Sequence, residues 1–206
     1  MNDRTLTLYT HPMSRGRMAR WMLEETGLPY TAEILEYGTT MKSTEYLAIN
    51  PMGKVPAIRH GDTVVTENAA IALYLADLVP DKNLAPPVGS AERGPYYRWI
   101  SFMGPLEQAM MSKHGGVTPE PMSAGFGSVE DVTNALDDVI GDRDFIVGDH
   151  FTMADLLVSA YIGWYLQFKL LDPRESFVRF ARLHAQRPAA LRANEIDDAL
   201  MPKQSD

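Results

Sequence analysis

The sequence predicts an α/β domain with a mixed sheet, followed by an all-α domain, and three observations support this prediction. Two short extended segments separated by one helical segment open the chain, between residues 5 and 35. Two more extended segments follow close together, over 55–58 and 63–65, with a helix after them. From residue 91 onward, the segments with apolar periodicity all have the helical period. The predicted order is therefore βαβ, then ββα, then helices alone.

The first forty residues predict two parallel strands joined by a helix. Residues 5–9 alternate polar and apolar side chains, as a half-buried strand does. A helix that includes Met18 and Trp21 is ended by Gly27 and Pro29. The segment 30–35 reads as the second strand, so the connection is a right-handed crossover.

The next segments complete a four-stranded mixed sheet. A short helix is predicted over 43–48, and the turn at 60–62 predicts an antiparallel hairpin between the next two strands. The apolar helix over 67–78 has side chains to bury against that sheet.

A change in composition predicts the domain boundary. The segment 80–90 contains Pro80, Pro86, Pro87 and Gly89 and lacks periodicity, so it reads as a linker between domains over 1–79 and 91–206. In the second domain the sequence predicts one long helix with a possible bend near Gly104-Pro105, then four more. These helices cover 96–113, 129–140, 152–168, 175–186 and 189–200.

Composition excludes several classes of function. The formal net charge is -8 and no run of Lys and Arg compensates for it, which argues against nucleic acid as a partner. There is no cysteine, so disulfides, thiolate zinc sites and cysteine nucleophiles are excluded. The five histidines lack metal-ligand spacing, so no metal is expected. Neither a signal peptide nor a membrane-length apolar run is present, which predicts a cytoplasmic protein without membrane partners.

The first motif with chemical meaning is Asn50-Pro51-Met52-Gly53-Lys54-Val55-Pro56-Ala57-Ile58. Pro56 cannot donate a hydrogen bond to a sheet, so it belongs at an edge or at the start of a strand. The backbone of Val55 is then free to pair with an extended peptide-like ligand by strand addition.

The second motif is Thr66-Glu67-Asn68-Ala69-Ala70-Ile71, at the start of a predicted helix. The free amides of a helix start attract a carboxylate, and Glu67 attracts an ammonium group. A γ-glutamyl group carries both charges at one end and would match this pattern. Ordinary capping of the helix is the alternative interpretation.

The third motif is Val147-Gly148-Asp149-His150-Phe151-Thr152-Met153-Ala154-Asp155. Thr152 and Asp155 stand three residues apart before an apolar helix, which is the spacing of a capping box. This motif predicts structure and not a binding site.

Read together, the three motifs resemble those of the glutathione S-transferase superfamily, of the cytosolic, bacterial-like type, and the resemblance covers nearly the whole chain. It implies a thioredoxin-like N-terminal domain, glutathione as co-substrate and a homodimer. It also implies that glutathione is held by Lys54, Val55, Pro56, Glu67 and Asn68. Asn68 replaces the serine that is usual in the family. Gly148, Thr152, Ala154 and Asp155 match the family's capping motif.

Such an enzyme must convert the glutathione thiol into a thiolate, and a hydroxyl between the first strand and the first helix would stabilise it. Ser14 stands where serine-type members of the family carry this hydroxyl, and capping of the helix is its alternative role. Tyr9 and Thr10 are the other candidates, Tyr9 at the position of tyrosine-type members. Arg15 and Arg17 would add positive potential beside the thiolate, or would be solvated.

The electrophile is expected to be a small apolar molecule. Its predicted pocket would be lined by Met13, Tyr97, Phe102, Met103 and Met110, which could equally be core residues. Two alternative functions remain at this point. One is a non-catalytic interaction module of the same fold, and the other is an isomerase or dehalogenase that uses glutathione as a true cofactor.

Overall fold

A four-stranded sheet forms the centre of the first structural unit in the computed structural model, which describes residues 5–201. The strands are β1 (Leu6–Thr10), β2 (Tyr30–Ile34), β3 (Ala57–His60) and β4 (Thr63–Thr66). Their order in the sheet is β2-β1-β3-β4, with β1 and β2 parallel and β3 antiparallel to both β1 and β4. The βαβ-ββα prediction is confirmed.

Two helices of this unit pack together, and both contact the sheet. Helix α1 (Gly16–Thr26) contacts β1 and α3 (Asn68–Leu78), while α2 (Thr44–Leu47) is a single turn. Gly27 ends α1 with a φ of 68°, and its amide donates to the carbonyl of Leu23. The helix therefore stops where the sequence predicted, because glycine adopts the left-handed conformation without steric cost.

Residues 83–186 form a second compact unit, which is helical. Its helices are α4 (Arg93–Ser101), α5 (Met103–His114), α6 (Val129–Ile140), α7 (Met153–Gln167) and α8 (Glu175–Ala185). Helix α7 is buried over most of its length and contacts α4, α5 and α8, as its nearly continuous apolar sequence predicted.

One predicted helix is two helices in the structure. The sequence predicted one helix over 96–113 with a bend near Gly104-Pro105, and the chain instead breaks at Phe102, between α4 and α5. Pro105 explains the break, because it has no amide to donate to the Ser101 carbonyl four residues earlier.

The predicted capping box at the start of α7 is present. The hydroxyl of Thr152 accepts from the amide of Ala154, and the carboxylate of Asp155 accepts from the amide of Thr152 at 2.8 Å. Asp155 also accepts from the amide of Ile146 at 2.7 Å, and it is fully buried. Burial raises the pKa of Asp155 to about 6, although these hydrogen bonds act in the opposite direction.

The last helix, α9 (Pro188–Ala199), belongs to the first unit, which comprises residues 5–82 and 187–201. The sequence analysis placed it in a helical domain over 91–206, so this grouping differs from the prediction. The unit boundary after Lys82 lies inside the predicted linker. Residues 1–4 and 202–206, which the predicted domains include, lie outside the described residues.

Ion pairs explain why α9 packs on α1. The two helices are antiparallel, so the first residues of α1 pair with the last residues of α9. Four pairs join them: Arg17 with Asp198, Arg20 with Asp197, Glu24 with Arg192, and Glu25 with Arg187.

The pair between Arg20 and Asp197 is buried. The side chains are 2% and 0% exposed, and Arg20 Nε donates to Asp197 Oδ1 at 2.9 Å. Arg20 also donates to the hydroxyl of Tyr30, which in turn donates to Glu24 at 2.7 Å. Burial, followed by the bond to Glu24, raises the pKa of Tyr30 to about 12, so the phenol stays neutral.

We predict that Arg20→Met destabilises the protein by about 3–5 kcal/mol, because it leaves the Asp197 carboxylate buried without its charge partner. Urea unfolding followed by tryptophan fluorescence measures this loss. Arg192→Met is the matched control, since Arg192 is 53% exposed in its pair with Glu24, and about 1 kcal/mol or less is expected there. Equal losses for the two variants would contradict this account of α9.

Candidate functional site

Ser14 lies in the loop between β1 and α1 and is 5% exposed. Its hydroxyl accepts from the amide of Gly16 at 2.9 Å, so it caps the start of α1. The same hydroxyl donates its only hydrogen to the carbonyl of His11 at 2.7 Å. Capping and thiol activation are therefore compatible at Ser14 only if this hydrogen turns toward the thiolate.

The two alternative hydroxyls lie in different surroundings. Tyr9 is buried in a cluster with Leu35, Met41, Tyr46 and Ala57. Burial and the charge of Glu33 raise the pKa of Tyr9, with Arg59 acting in the opposite direction. The Tyr9 ring is therefore part of the core of this unit.

Thr10 is fully buried, and its hydroxyl finds no hydrogen-bond partner within residues 5–201. It lies against Gly16, where a Cβ atom would come within 1.9 Å of Thr10 Oγ1 and 2.9 Å of Ser14 Oγ. The first residue of α1 must therefore be glycine for the helix to start this close to β1. Thr10 and Ser14 both adjoin that start.

The loop before β3 presents the backbone of Val55. The peptide bond between Val55 and Pro56 is cis. Across the described part of the chain, the amide and carbonyl of Val55 form no hydrogen bond. They are available to an extended ligand, as the motif predicted.

Two side chains that the sequence analysis did not single out hold this loop. The hydroxyl of Tyr46 donates to the carbonyl of Lys54 at 2.6 Å, and the amide of Asn50 donates to the same oxygen at 2.8 Å. The backbone carbonyl of Lys54 already accepts these two hydrogen bonds. The role of this carbonyl is therefore to anchor the loop. The Asn50-Pro51 dipeptide indicated a turn at this place in the sequence. No pattern in the sequence indicated the contact with Tyr46.

Glu67 is held in a strained conformation directly before α3. Its φ is 68° and its ψ is 124°, a region that residues other than glycine rarely occupy. Such a conformation costs about 1–3 kcal/mol and is concentrated at functional sites. The Glu67 side chain is exposed and available to a ligand.

Asn68 joins the starts of two helices. Its side chain is 7% exposed, and its amide donates toward the carbonyl of Arg15 at 3.4 Å and lies 3.7 Å from Met18 Sδ. The side chain is thus directed toward α1, and its oxygen has no partner among the residues described. The backbone amides at the start of α3 have no partner within the helix.

A second pair of residues that the sequence analysis did not predict lies beside Ser14. The hydroxyl of Tyr37 donates to the carbonyl of Met13 at 3.3 Å, and the Tyr37 ring packs on that of His11, with centroids 4.8 Å apart. His11 Nδ1 accepts from the amide of Met13, and Nε2 lies 3.5 Å from Glu36. Tyr37 follows β2 by three residues, and no periodicity or motif marked it.

The two arginines near the start of α1 have different environments. Arg17 pairs with Asp198 in α9, so its charge is already matched. Partial burial raises the pKa of the Tyr37 phenol, and the charge of Arg15 acts on the same phenol in the opposite direction. Positive potential beside Ser14 therefore comes from Arg15 and from the helix start.

The residues of the predicted electrophile pocket fall into two groups. Met103 and Met110 are fully or almost fully buried, as core residues of the helical unit are. Met13 and Tyr97 are exposed, and Phe102 is half-buried. The pocket as a set remains a prediction.

Residues 5–201 contain neither a cluster suited to a metal ion nor a membrane-length helix. No group of three or more His, Asp or Glu side chains there is placed to hold a metal ion. None of the helices in this part of the chain is long and apolar enough to cross a membrane.

The mixed sheet, the cis-proline loop and the helix starts define a thioredoxin-like domain. A family model for the glutathione S-transferase N-terminal domain matches residues 13–78. Glutathione S-transferase GstA of Escherichia coli O157:H7 is 32% identical over 160 residues, which are 76% of this chain and 77% of that protein. The chain therefore belongs to the glutathione S-transferase family, and the resemblance seen in the sequence is confirmed.

Solved structures agree with this assignment. A glutathione transferase from Methylococcus capsulatus str. Bath matches with a TM-score of 0.79 at 27% identity, over 95% of this chain and 100% of that one. A sphingomonad glutathione S-transferase complexed with glutathione matches with a TM-score of 0.78 at 29% identity, over 93% and 98%. The predicted fold, a thioredoxin-like domain with a helical C-terminal region, is confirmed.

We predict that Gly16→Ala destabilises the protein by about 1–3 kcal/mol, because the new methyl group overlaps the Thr10 hydroxyl and must displace it. Thermal unfolding measures the effect. Gly94→Ala, in α4, is the matched control because its Cβ would meet no atom within 4 Å, and a helical alanine is favoured over glycine there. A neutral Gly16→Ala variant would refute the close packing at the start of α1.

Proposed function

We propose that this glutathione transferase binds glutathione across the starts of α1 and α3 and activates its thiol there for attack on a small apolar electrophile. The observation that carries the proposal is the contact between Asn68 and the Arg15 carbonyl, which brings the two helix starts together. The first amides of α3 have no partner within that helix, and both helix starts present the positive end of a helix dipole. An acidic chain thereby gains a local site for an anionic ligand.

The γ-glutamyl end of glutathione binds at the start of α3. Its carboxylate accepts from the first amides of the helix, and its ammonium group pairs with the exposed carboxylate of Glu67. The strained backbone of Glu67 supports this assignment, since the strain needs a compensating role. The side chain of Asn68 contributes by holding α3 to α1 and not by direct contact.

The cysteinyl part of glutathione pairs with Val55. Its amide and carbonyl form antiparallel hydrogen bonds with the open backbone groups of Val55, in the manner of an added strand. Tyr46 and Asn50 keep the loop in place through the Lys54 carbonyl, and Pro56 fixes the chain beyond it. This pairing directs the thiol toward the start of α1.

The thiol is stabilised there as a thiolate. A free thiol has a pKa of about 8.5, and lowering it by about two units requires about 2.7 kcal/mol of differential stabilisation. A hydrogen bond to a charged group contributes about 1.5–3 kcal/mol, and a helix start adds less than about 1 kcal/mol at most exposed sites. Ser14 supplies the hydrogen bond by turning its hydrogen from the His11 carbonyl to the sulfur.

The reaction that follows is conjugation. The thiolate attacks the electrophile, a carbon–sulfur bond forms, and the leaving group departs or a multiple bond is saturated. The electrophile is assigned to a surface that includes the exposed Met13, since methionine adapts to varied apolar shapes. A product that keeps no glutathione would instead identify the isomerase or dehalogenase alternative.

Calorimetric titration with glutathione at neutral pH tests the proposal. Saturable binding with a dissociation constant between micromolar and millimolar is expected. If there is neither heat nor thermal stabilisation at high ligand concentration, the interaction-module alternative replaces the enzyme.

We predict that Ser14→Ala lowers turnover about tenfold or more with little change in glutathione affinity, because the thiolate loses one hydrogen bond. Steady-state kinetics with a model electrophile measure turnover, and calorimetry measures the affinity. Thr10→Val is the control, since Thr10 is fully buried and is proposed not to contact the thiol. Full activity of Ser14→Ala would assign activation to another group.

A homodimer in the cytoplasm completes the proposal. Family membership supports both features. Light scattering that gave a mass near 23.0 kDa, the mass of one chain, would reject the dimer.

A further inference from the structure

Tyr37 carries a hydroxyl at the Ser14 loop and is more exposed than the other three hydroxyl residues there. It is 54% exposed, whereas Tyr9, Thr10 and Ser14 are all buried. Its hydroxyl lies against the Met13 carbonyl, one residue before Ser14. The geometry therefore places a second donor beside the proposed thiol position.

The hydrogen bonds of the two hydroxyls differ in strength. Ser14 donates to the His11 carbonyl at 2.7 Å, which is the ordinary distance for a hydroxyl donor. Tyr37 donates to the Met13 carbonyl at 3.3 Å, beyond the usual range. Redirecting the Tyr37 hydrogen toward a thiolate consequently loses less than redirecting that of Ser14.

The Tyr37 ring is held in place from one side. It packs on the His11 ring at a centroid distance of 4.8 Å. His11 is itself fixed, because Nδ1 accepts from the Met13 amide at 3.0 Å and Nε2 faces Glu36. In a neutral His11, the hydrogen therefore sits on Nε2. A donor that is positioned before the ligand arrives needs little reorganisation.

The phenol is also in the right protonation state to donate. Burial raises the pKa of Tyr37 above its ordinary value, and this outweighs the opposite effects of the Ser14 hydroxyl and the Arg15 charge. The phenol is consequently neutral and carries its hydrogen at physiological pH.

We propose that Tyr37 is a second catalytic hydroxyl, which donates a hydrogen bond to the glutathione thiolate beside Ser14. The inference rests on the proposed function of this site. When the S–H bond breaks, its proton leaves to the solvent, and Tyr37 keeps its own proton while turning from the Met13 carbonyl to the sulfur. The thiolate is then stabilised by two hydroxyls, one from Ser14 and one from the segment after β2.

The test is a titration of the thiol in the glutathione complex of Tyr37→Phe. The thiolate is followed by its own ultraviolet absorbance at saturating glutathione. His11, Glu36 and Arg15 face the same loop, and this readout does not score their protonation as thiol ionisation. The expected result is a rise of about one unit in the pKa of the bound thiol, since a hydrogen bond to a charged group is lost. Ser14→Ala combined with Tyr37→Phe is expected to raise it further than Ser14→Ala alone.

Tyr74→Phe is the matched control. Tyr74 is a partly buried phenol of α3 that bonds His60 and stands outside the site, so the bound thiol is expected to keep its wild-type pKa. An unchanged thiol pKa in Tyr37→Phe would overturn the inference. Weaker glutathione binding with an unchanged thiol pKa would also overturn it, because Tyr37 would then only contact the ligand. Absence of glutathione binding to the wild-type protein would instead reject the proposed function itself, and this inference with it.

Discussion

The buried ion pair between Arg20 and Asp197 holds the helix from which the candidate site extends. Neither side chain reaches solvent, so neither charge can be hydrated if the other is lost. Such pairs add little net stability compared with apolar packing, but they specify one arrangement, because any shift of α9 along α1 would separate them. The three flanking pairs repeat the same register, and in each of them at least one partner is partly open to solvent. Helix α1 is thus fixed at its middle by α9, and at its start by Gly16 against Thr10.

The start of α1 in turn organises the thiol site. Ser14 caps the helix and is bonded to the His11 carbonyl, while Asn68 reaches the adjacent Arg15 carbonyl from α3. The Ser14 hydroxyl and the Asn68 side-chain amide therefore already form hydrogen bonds within the protein. If Ser14 activates the thiol as proposed, its hydroxyl exchanges the bond to the His11 carbonyl for a stronger bond to a charged sulfur.

The positive ends of the helix dipoles at the candidate site differ in sign from the net charge of the chain. The protein carries a formal net charge of -8, yet the proposed ligand is an anion. Arg17 is paired with Asp198, so the proposed attraction rests on the dipoles of the two helix starts and on neutral donors. Glu67 contributes the opposite sign only where an ammonium group is expected. Specificity for glutathione over other anions would follow from this pattern of both signs.

Local signals in the sequence determined the order of the elements, the end of α1 at Gly27, the capping box of Thr152 and Asp155, and the loops of Val55 and Glu67. These features depend on neighbours within a few residues, where periodicity and turn chemistry act. The tertiary structure alone decided that α9 joins the first unit, through a pair 177 residues apart. It also turned Asn68 toward α1 and placed Tyr37 beside Ser14. The local sequence does not indicate such contacts. A charged or aromatic residue gives the same local pattern whether its side chain faces solvent or contacts a residue distant in the chain.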